Sequence, residues 1–316
     1  MNEINLPALP WIAQRYQLQE QIGYGGLSNV FQAWDHHLKR PVAVKCMKCE
    51  GDQKEDKVIQ DALREAMTTA SVRHPNVVTV FDYGTEDKTA YIVMELIEGE
   101  NLEQCLQRGP LHINDFHKFT VQSLEGIIAT HSMGMMHRDL KPANFMLQPL
   151  VTGSFEVKIL DFGLAKYIDK PQPQSVDHFN SLMGSIHYMA PEQLEQKLID
   201  KRTDLYSFGC ILYEALTGHT AFDGQTVASL IEAHVGKAPH PMVDLRPEIS
   251  DSLERWIMKF LEKDPASRPQ TARAALDALP QLVQCSRTGR RTMRVIFEKI
   301  LGTKTTTLLP PAPKDT

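Results

Sequence analysis

The sequence predicts an α+β fold in two unequal parts: a small antiparallel β-sheet lobe with one main helix, followed by a larger, mostly helical lobe. Three observations predict it. Up to Gly99 the chain runs in short apolar segments bounded by Gly and turn residues, the pattern of half-buried strands. Beyond Gly99, long patterns of helical period take over, separated by Pro- and Gly-marked loops. The chain has 316 residues with 42% hydrophobic and 23% charged residues, enough to bury a large core.

Taken in order, residues 1–15 are an N-terminal extension and residues 16–98 form the smaller lobe. Tyr16 to Ile22 reads as a strand leading into the glycine loop "IGYGGLSNV" (Ile22 to Val30), and Val30 to Trp34 as the returning strand. The turn "WDHHLKR" then gives way to "RPVAVKCM" (Arg40 to Met47), an antiparallel meander. Residues 55–71 read as a helix, with Val58, Ala62 and Ala66 at helical spacing, stopping before His74-Pro75. "VVTVFDYG" and "TAYIVMELI" supply two more strands. The larger lobe, residues 99–282, carries helical patterns over roughly 114–133, 203–217, 225–235 and 250–262. Residues 283–316 differ again. "CSRTGRRTMRVIFEKILGTK" carries six Lys/Arg against one Glu, and "TTTLLPPAPKDT" reads as a disordered linker.

Composition excludes several classes. A formal charge of −5 gives no general drive toward nucleic acid. No apolar run approaches the ~18–20 residues needed to cross a bilayer, and the N-terminus lacks the basic start and apolar core of a secretory signal. The expected setting is cytoplasmic, as a free protein or as the cytoplasmic part of a membrane-anchored one whose tether lies in or beyond the basic tail. Cys46, Cys49, Cys105, Cys210 and Cys285 form an odd set without framework spacing, and Cys46/Cys49 lack the second pair a zinc site would want.

The glycine loop admits three readings. In a dinucleotide fold it would open a helix, but "NVFQAW" after it is β-branched and aromatic. A Walker loop would end in Gly-Lys-Ser/Thr, and this one has no lysine. A β-hairpin turn laid over the phosphates of ATP, with a lysine on the next strand, fits the context. In "Val42-Ala43-Val44-Lys45" strand alternation puts Ala43 and Lys45 on one face, where a buried cation needs an anion. Glu65 on the following helix offers that carboxylate, with Asp61 one turn earlier as the rival.

"Met136-His-Arg-Asp-Leu-Lys-Pro-Ala-Asn144" and "Ile159-Leu-Asp-Phe-Gly163" extend the pattern, followed by Ala190-Pro-Glu192 and Asp204 to Gly209 ("DLYSFG"). With the glycine loop and "VAVK", these elements over residues 16–280 resemble a protein kinase, and "GYGGLSNVFQAWD" is similar to the eukaryotic-like (Hanks-type) serine/threonine kinases of bacteria. The resemblance implies the two-lobed protein kinase fold and a set of roles. Asp139 would accept the substrate hydroxyl's proton, Lys141 would place positive charge beside the transferring phosphoryl, and Lys45, positioned by Glu65, would hold the α- and β-phosphates. Asn144 and Asp161 would hold Mg²⁺, with Mn²⁺ as the alternative. ATP would lie under the loop formed by Ile22, Gly23, Tyr24, Gly25, Gly26, Leu27 and Ser28. Val30, Ala43 and Met146 would sandwich adenine, Glu95 and Ile97 would bond its edge through their backbones, and Met94 would close the back of the pocket. Ser28 stands where the family has its third glycine and stiffens the loop without excluding function.

Further implications concern specificity and control. Lys141 and Ser185 resemble the Ser/Thr branch, and Ser185 is expected to bond both Asp139 and Lys141. Glu192 and Arg268 would form a buried ion pair, and Asp204 would hold the His137–Asp139 backbone. Arg138 implies a phosphate on the activation loop, yet residues 164–184 contain no threonine. Ser175 and Ser181 are therefore the candidate phosphosites, with Asp177 as a built-in substitute. Expected partners are Ser/Thr-containing proteins; phosphothreonine-reading domains and a second copy of the chain stay open. A pseudokinase scaffold is the alternative, although such proteins usually lose one of Lys45, Asp139, Asn144 or Asp161.

Overall fold

The computed structural model describes residues 11–24, 28–48, 63, 66–67, 69–86, 89–161 and 185–280. The expectations placed on Gly25, Gly26, Leu27, Cys49, Asp61, Glu65, Ser175, Asp177, Ser181, Cys285 and the 283–316 tail lie outside these residues.

A six-stranded antiparallel sheet in the order β1-β2-β3-β4-β6-β5 forms the smaller lobe. Its strands are β1 (Trp11–Ile12), β2 (Tyr16–Tyr24), β3 (Ser28–Asp35), β4 (Arg40–Lys48), β5 (Val80–Glu86) and β6 (Thr89–Met94). β1, inside the stretch expected to be an extension, pairs with β2 through Trp11↔Gln17 and Ile12↔Tyr16. Strand alternation on β4 partitions the core, because successive side chains face opposite sides of the sheet. Val42 and Val44 join Tyr16, Leu18, Ala33 and Val93 on one side. Ala43 and Met47 join Ala66, Val78, Ile92 and Met94 on the other, with Val30, Ile97 and Leu160 packed against them. That second side faces the larger lobe.

The larger lobe begins with a three-stranded sheet that the sequence reading did not anticipate: β7 (Glu100–Asn101), β8 (Phe145–Pro149) and β9 (Phe155–Ile159), in the order β7-β8-β9. Its helices are α1 (Leu102–Leu106), α2 (Ile113–Ser132), α3 (Pro191–Leu194), α4 (Lys201–Thr217), α5 (Val227–Gly236), α6 (Met242–Leu245), α7 (Asp251–Phe260) and α8 (Ala272–Asp277). α4 is the central column. It is buried nearly all round, starts at the Asp200 side-chain cap and stops at Gly218, whose φ of 77° only glycine adopts without cost. Its Gly209 lets α7 approach so closely that an added Cβ would lie 2.4 Å from the Cβ of Phe260.

The two lobes are stitched where the chain enters β5. The Ile159 N–H donates to the Asn76 carbonyl at 2.9 Å, and the Val78 N–H donates to the Ile159 carbonyl at 3.0 Å. The Asn76 side-chain amide donates to the Val157 carbonyl at 2.8 Å. β9, which ends just before Asp161, is thereby tied to the smaller lobe.

Candidate active site

The base of the glycine loop is clamped by a side chain. The register of β2 against β3 is irregular around Gln21, and the Gln21 amide donates to Asn29 Oδ1 at 2.9 Å across the hairpin. Bulges of this kind bend a strand and re-aim its side chains. Ile22 is 48% exposed and Tyr24 85% exposed, so apolar and aromatic surface stands open beside the loop.

Ala43, Met94, Val30 and Ile97 share one apolar cluster. Met146 lies on β8 opposite Lys158, between Phe145 and Leu147, which point into the core of the larger lobe. Alternation therefore turns Met146 the other way, off that core. The Glu95 N–H donates to the Thr79 carbonyl at 2.9 Å. Among the described residues no hydrogen bond is formed to the Glu95 carbonyl. The Glu95 carboxylate accepts from the Thr79 N–H at 2.7 Å and pairs with the buried Lys158 amine at 3.1 Å. The Lys158 contact was missed in the sequence. Alternation against its core neighbours Val157 and Ile159 was the available signal, since a lysine so placed must find a carboxylate or reach water.

Lys45 is 6% exposed and its amine lies 2.9 Å from Asp161 Oδ1. In the described residues the anion satisfying the buried cation is thus Asp161, across the cleft. Burial by itself would raise the Asp161 carboxyl, but Lys45, with His137 and Lys141 further off, outweighs it and holds the group below its ordinary value. Asp161 has φ 53° and Arg138 has φ 67°. Left-handed backbone at non-glycine residues costs about 1–3 kcal/mol each and persists only where the surroundings enforce it.

Those surroundings are visible around the His137–Asp139 turn. Asp204 of α4 accepts from the His137 and Arg138 N–H groups, both at 2.8 Å, and from His131 Nε2 at 2.8 Å. The contacts from His131 and these backbone donors offset its desolvation and keep the Asp204 carboxyl low. His137 Nε2 bonds the Leu160 carbonyl at 2.7 Å, which joins this turn to the residue before Asp161. The Asn144 amide donates to the Asp139 carbonyl at 2.8 Å, so its side-chain oxygen remains for another partner. The Lys141 amine donates to Asp139 Oδ2 at 2.8 Å and to Ser185 Oγ at 3.1 Å. Ser185 therefore reaches Asp139 through the Lys141 amine; among the described residues no direct Ser185–Asp139 bond is formed, a correction to the expected double contact. Glu192 and Arg268 form a bidentate pair, with both distances 2.8 Å.

One cleft thus brings together Lys45, Asp139, Lys141, Asn144, Asp161 and Ser185, drawn from both lobes. Its oxygen donors include the Asn144 amide oxygen and the Asp161 carboxylate. That donor set fits Mg²⁺, which takes one or two carboxylates together with substrate phosphates and water. Among the described residues no cluster of three or more His, Cys, Asp or Glu forms an all-protein cage for a metal ion.

Two-lobed fold, glycine-rich hairpin, strand lysine and aspartate-centred turn define a class. Residues 16–279 match the protein kinase domain family, and the chain belongs to it. The relatives are more particular. A probable serine/threonine-protein kinase of Clostridium perfringens is 38% identical over 272 residues, covering 86% of this chain and 38% of the relative. Serine/threonine-protein kinase PrkC of Bacillus subtilis is 35% identical, covering 83% of this chain and 39% of its own length. Serine/threonine-protein kinase PknB of Mycobacterium leprae is 34% identical, covering 83% and 42%. The chain thus spans less than half the length of these curated relatives. Among solved structures, the crystal structure of Rad53 in complex with AMP-PNP is similar, with TM-score 0.67 and 28% identity over 83% of this chain and 64% of the other.

Proposed function

We propose that the protein is an ATP-dependent kinase that transfers the γ-phosphate of ATP to serine and threonine hydroxyls of proteins, itself included. The carrying observation is the single cleft in which the Lys45–Asp161 pair at 2.9 Å meets the Asp139–Lys141–Ser185 cluster. Phosphoryl transfer asks a protein mainly for position and charge. Asp139 orients the acceptor hydroxyl and takes its proton. Lys141 neutralises charge beside the transferring group and links Asp139 to Ser185 of the segment that the substrate would follow. Lys45 holds phosphate oxygens, and the Ala43–Met94–Val30–Ile97 cluster with Met146 provides apolar walls for a purine. Asn144 and Asp161 would hold Mg²⁺, with Mn²⁺ as an alternative, which when bound draws charge from the phosphates.

The test compares phosphate transfer from ATP with Mg²⁺ by wild type and Asp139→Asn, with modified residues mapped by mass spectrometry. Loss of the base is expected to lower the rate ~10²–10⁴-fold. Phosphoserine or phosphothreonine that vanishes in the variant supports the reading, and its position discriminates among Ser175, Ser181 and the "TTT" tail. Transfer unchanged in Asp139→Asn would refute the assignment, and ATP binding without any transfer would favour the pseudokinase scaffold.

Finer expectations concern placement. No helix among the described residues is long and apolar enough to cross a membrane. We place the kinase domain in the cytoplasm, with the basic tail as its contact to anionic lipid. Equal sedimentation with anionic vesicles, with and without residues 283–316, would remove the lipid contact. Docking by phosphothreonine-reading domains and self-association remain readings by resemblance. A pull-down of the autophosphorylated chain and sedimentation equilibrium test them respectively.

A further inference from the structure

The geometry points to Gln193 as a positioning residue for the catalytic base, an inference that rests on the role proposed for Asp139. Gln193 lies on α3, directly after the Ala190–Glu192 segment. Its amide is used at both ends. Oε1 accepts from the Ala190 N–H at 3.1 Å, which satisfies a donor at the start of a helix whose cap residue, alanine, has no side-chain acceptor. Nε2 reaches 55 positions back along the chain and donates to the Arg138 carbonyl at 2.9 Å.

The placement of that carbonyl gives the contact its consequence. Arg138 sits at φ 67°, with one peptide plane before it and one after. Asp204 grips the N–H groups of His137 and Arg138, which fixes the chain up to Arg138. The following plane, between Arg138 and Asp139, carries the carbonyl held by Gln193. Among the described residues its own N–H makes only a long contact, 3.4 Å, to His137 Nδ1. The orientation of this plane sets Arg138 ψ and Asp139 φ, and so the direction in which the Asp139 side chain leaves the backbone. Asp204 and Gln193 therefore hold successive peptides of one strained turn, from two different helices. Because Gln193 follows Ser185–Glu192 in the chain, docking of that segment and alignment of the base become one event.

Losing the bond frees the plane before Asp139, and small displacements of a reacting group are amplified in rate. We expect a loss of about tenfold in kcat. The experiment uses the full chain and initial rates of autophosphorylation over a range of ATP concentrations, with thermal midpoints measured in parallel. Gln193→Glu keeps the acceptor for the Ala190 N–H and loses the donor to Arg138; Gln193→Met loses both. The inference expects Gln193→Glu to stay fully folded at the assay temperature and to keep the wild-type KM for ATP while kcat falls about tenfold, with Gln193→Met falling at least as far. Wild-type kcat in Gln193→Glu would overturn it, leaving Gln193 a helix cap. A kcat loss in Gln193→Glu accompanied by an equal loss of folded protein would also overturn it. Failure of the underlying reading looks different, because there Asp139→Asn retains activity whatever Gln193 does.

Discussion

Replacing Arg268 by methionine tests how much of the larger lobe depends on one buried ion pair. Arg268 and Glu192 are 3% and 5% exposed. The guanidinium binds both carboxylate oxygens at 2.8 Å and also donates to the carbonyls of Glu262, Arg202 and Lys263 at 2.7, 3.1 and 2.9 Å. Thr203 Oγ1 adds a bond to Glu192 at 2.8 Å. Methionine fills similar volume but leaves a buried carboxylate without its cation. Breaking one side of such a pair costs about 3–5 kcal/mol. At roughly 2–4 °C per kcal/mol for a domain of this size, the midpoint falls by about 6–20 °C.

The pH dependence supplies a sharper signature. In the wild type, burial would raise Glu192, but Arg268 and the other bonds outweigh it and hold the carboxyl below its ordinary value. A depressed carboxyl contributes stability that is present above the unfolded value and is lost as pH falls through the folded one. Without Arg268, desolvation dominates and the folded value rises above the unfolded one. The same group then contributes stability at low pH that is lost as pH rises. The difference in unfolding free energy between wild type and Arg268→Met should therefore widen from about pH 3 to pH 6. Urea unfolding followed by tryptophan fluorescence across that range measures it. A loss under about 1 kcal/mol, or a difference that does not change with pH, refutes the reasoning.

Gly209→Ala should destabilise the protein even though alanine is the better helix former. The propensity gain is about 1 kcal/mol, whereas a Cβ 2.4 Å from the Phe260 Cβ and 3.2 Å from Leu261 Cδ2 forces overpacking of about 1–3 kcal/mol. A thermal midpoint equal to or above wild type would contradict this. In the smaller lobe, Arg15 clasps Asp35 at 2.9 and 2.7 Å, and this bond is the largest influence holding the Asp35 carboxyl down to about 2. Its contribution is full above the unfolded value of about 4 and disappears as pH falls toward about 2. Arg15→Gln should lose of order 1 kcal/mol at neutral pH and flatten acid unfolding in that window; an unchanged acid limb would refute it.

Part of the cleft was legible because strand period is written in local order. Alternation in "VAVK" put Ala43 and Lys45 on the face they occupy, and the β-branched and aromatic residues after the glycine loop predicted the returning strand. Other contacts had no local signal. Gln193 looks like any helix-surface glutamine until α3 is laid against a turn 55 residues earlier. β1 is two residues long, too short for a periodic pattern, and exists because β2 offers it an edge. β7 is equally short, and β8 and β9 were hidden among loop residues.

Residue type and order were enough to indicate the two lobes and the face shared by Ala43 and Lys45, because strand and helix periods are properties of neighbouring residues; the groups expected to act in the cleft were named by the resemblance to protein kinases. Which groups meet is a separate matter. Among the described residues, the fold places Asp161 2.9 Å from the Lys45 amine, a meeting across the cleft that strand alternation does not show. The resemblance offered Ser185 to both Asp139 and Lys141, and the fold inserts the Lys141 amine between the two oxygens. Pairing at these positions depends on distances across the cleft and on which buried charge most needs compensation. Packing of the two lobes sets both, and no stretch of neighbouring residues encodes them.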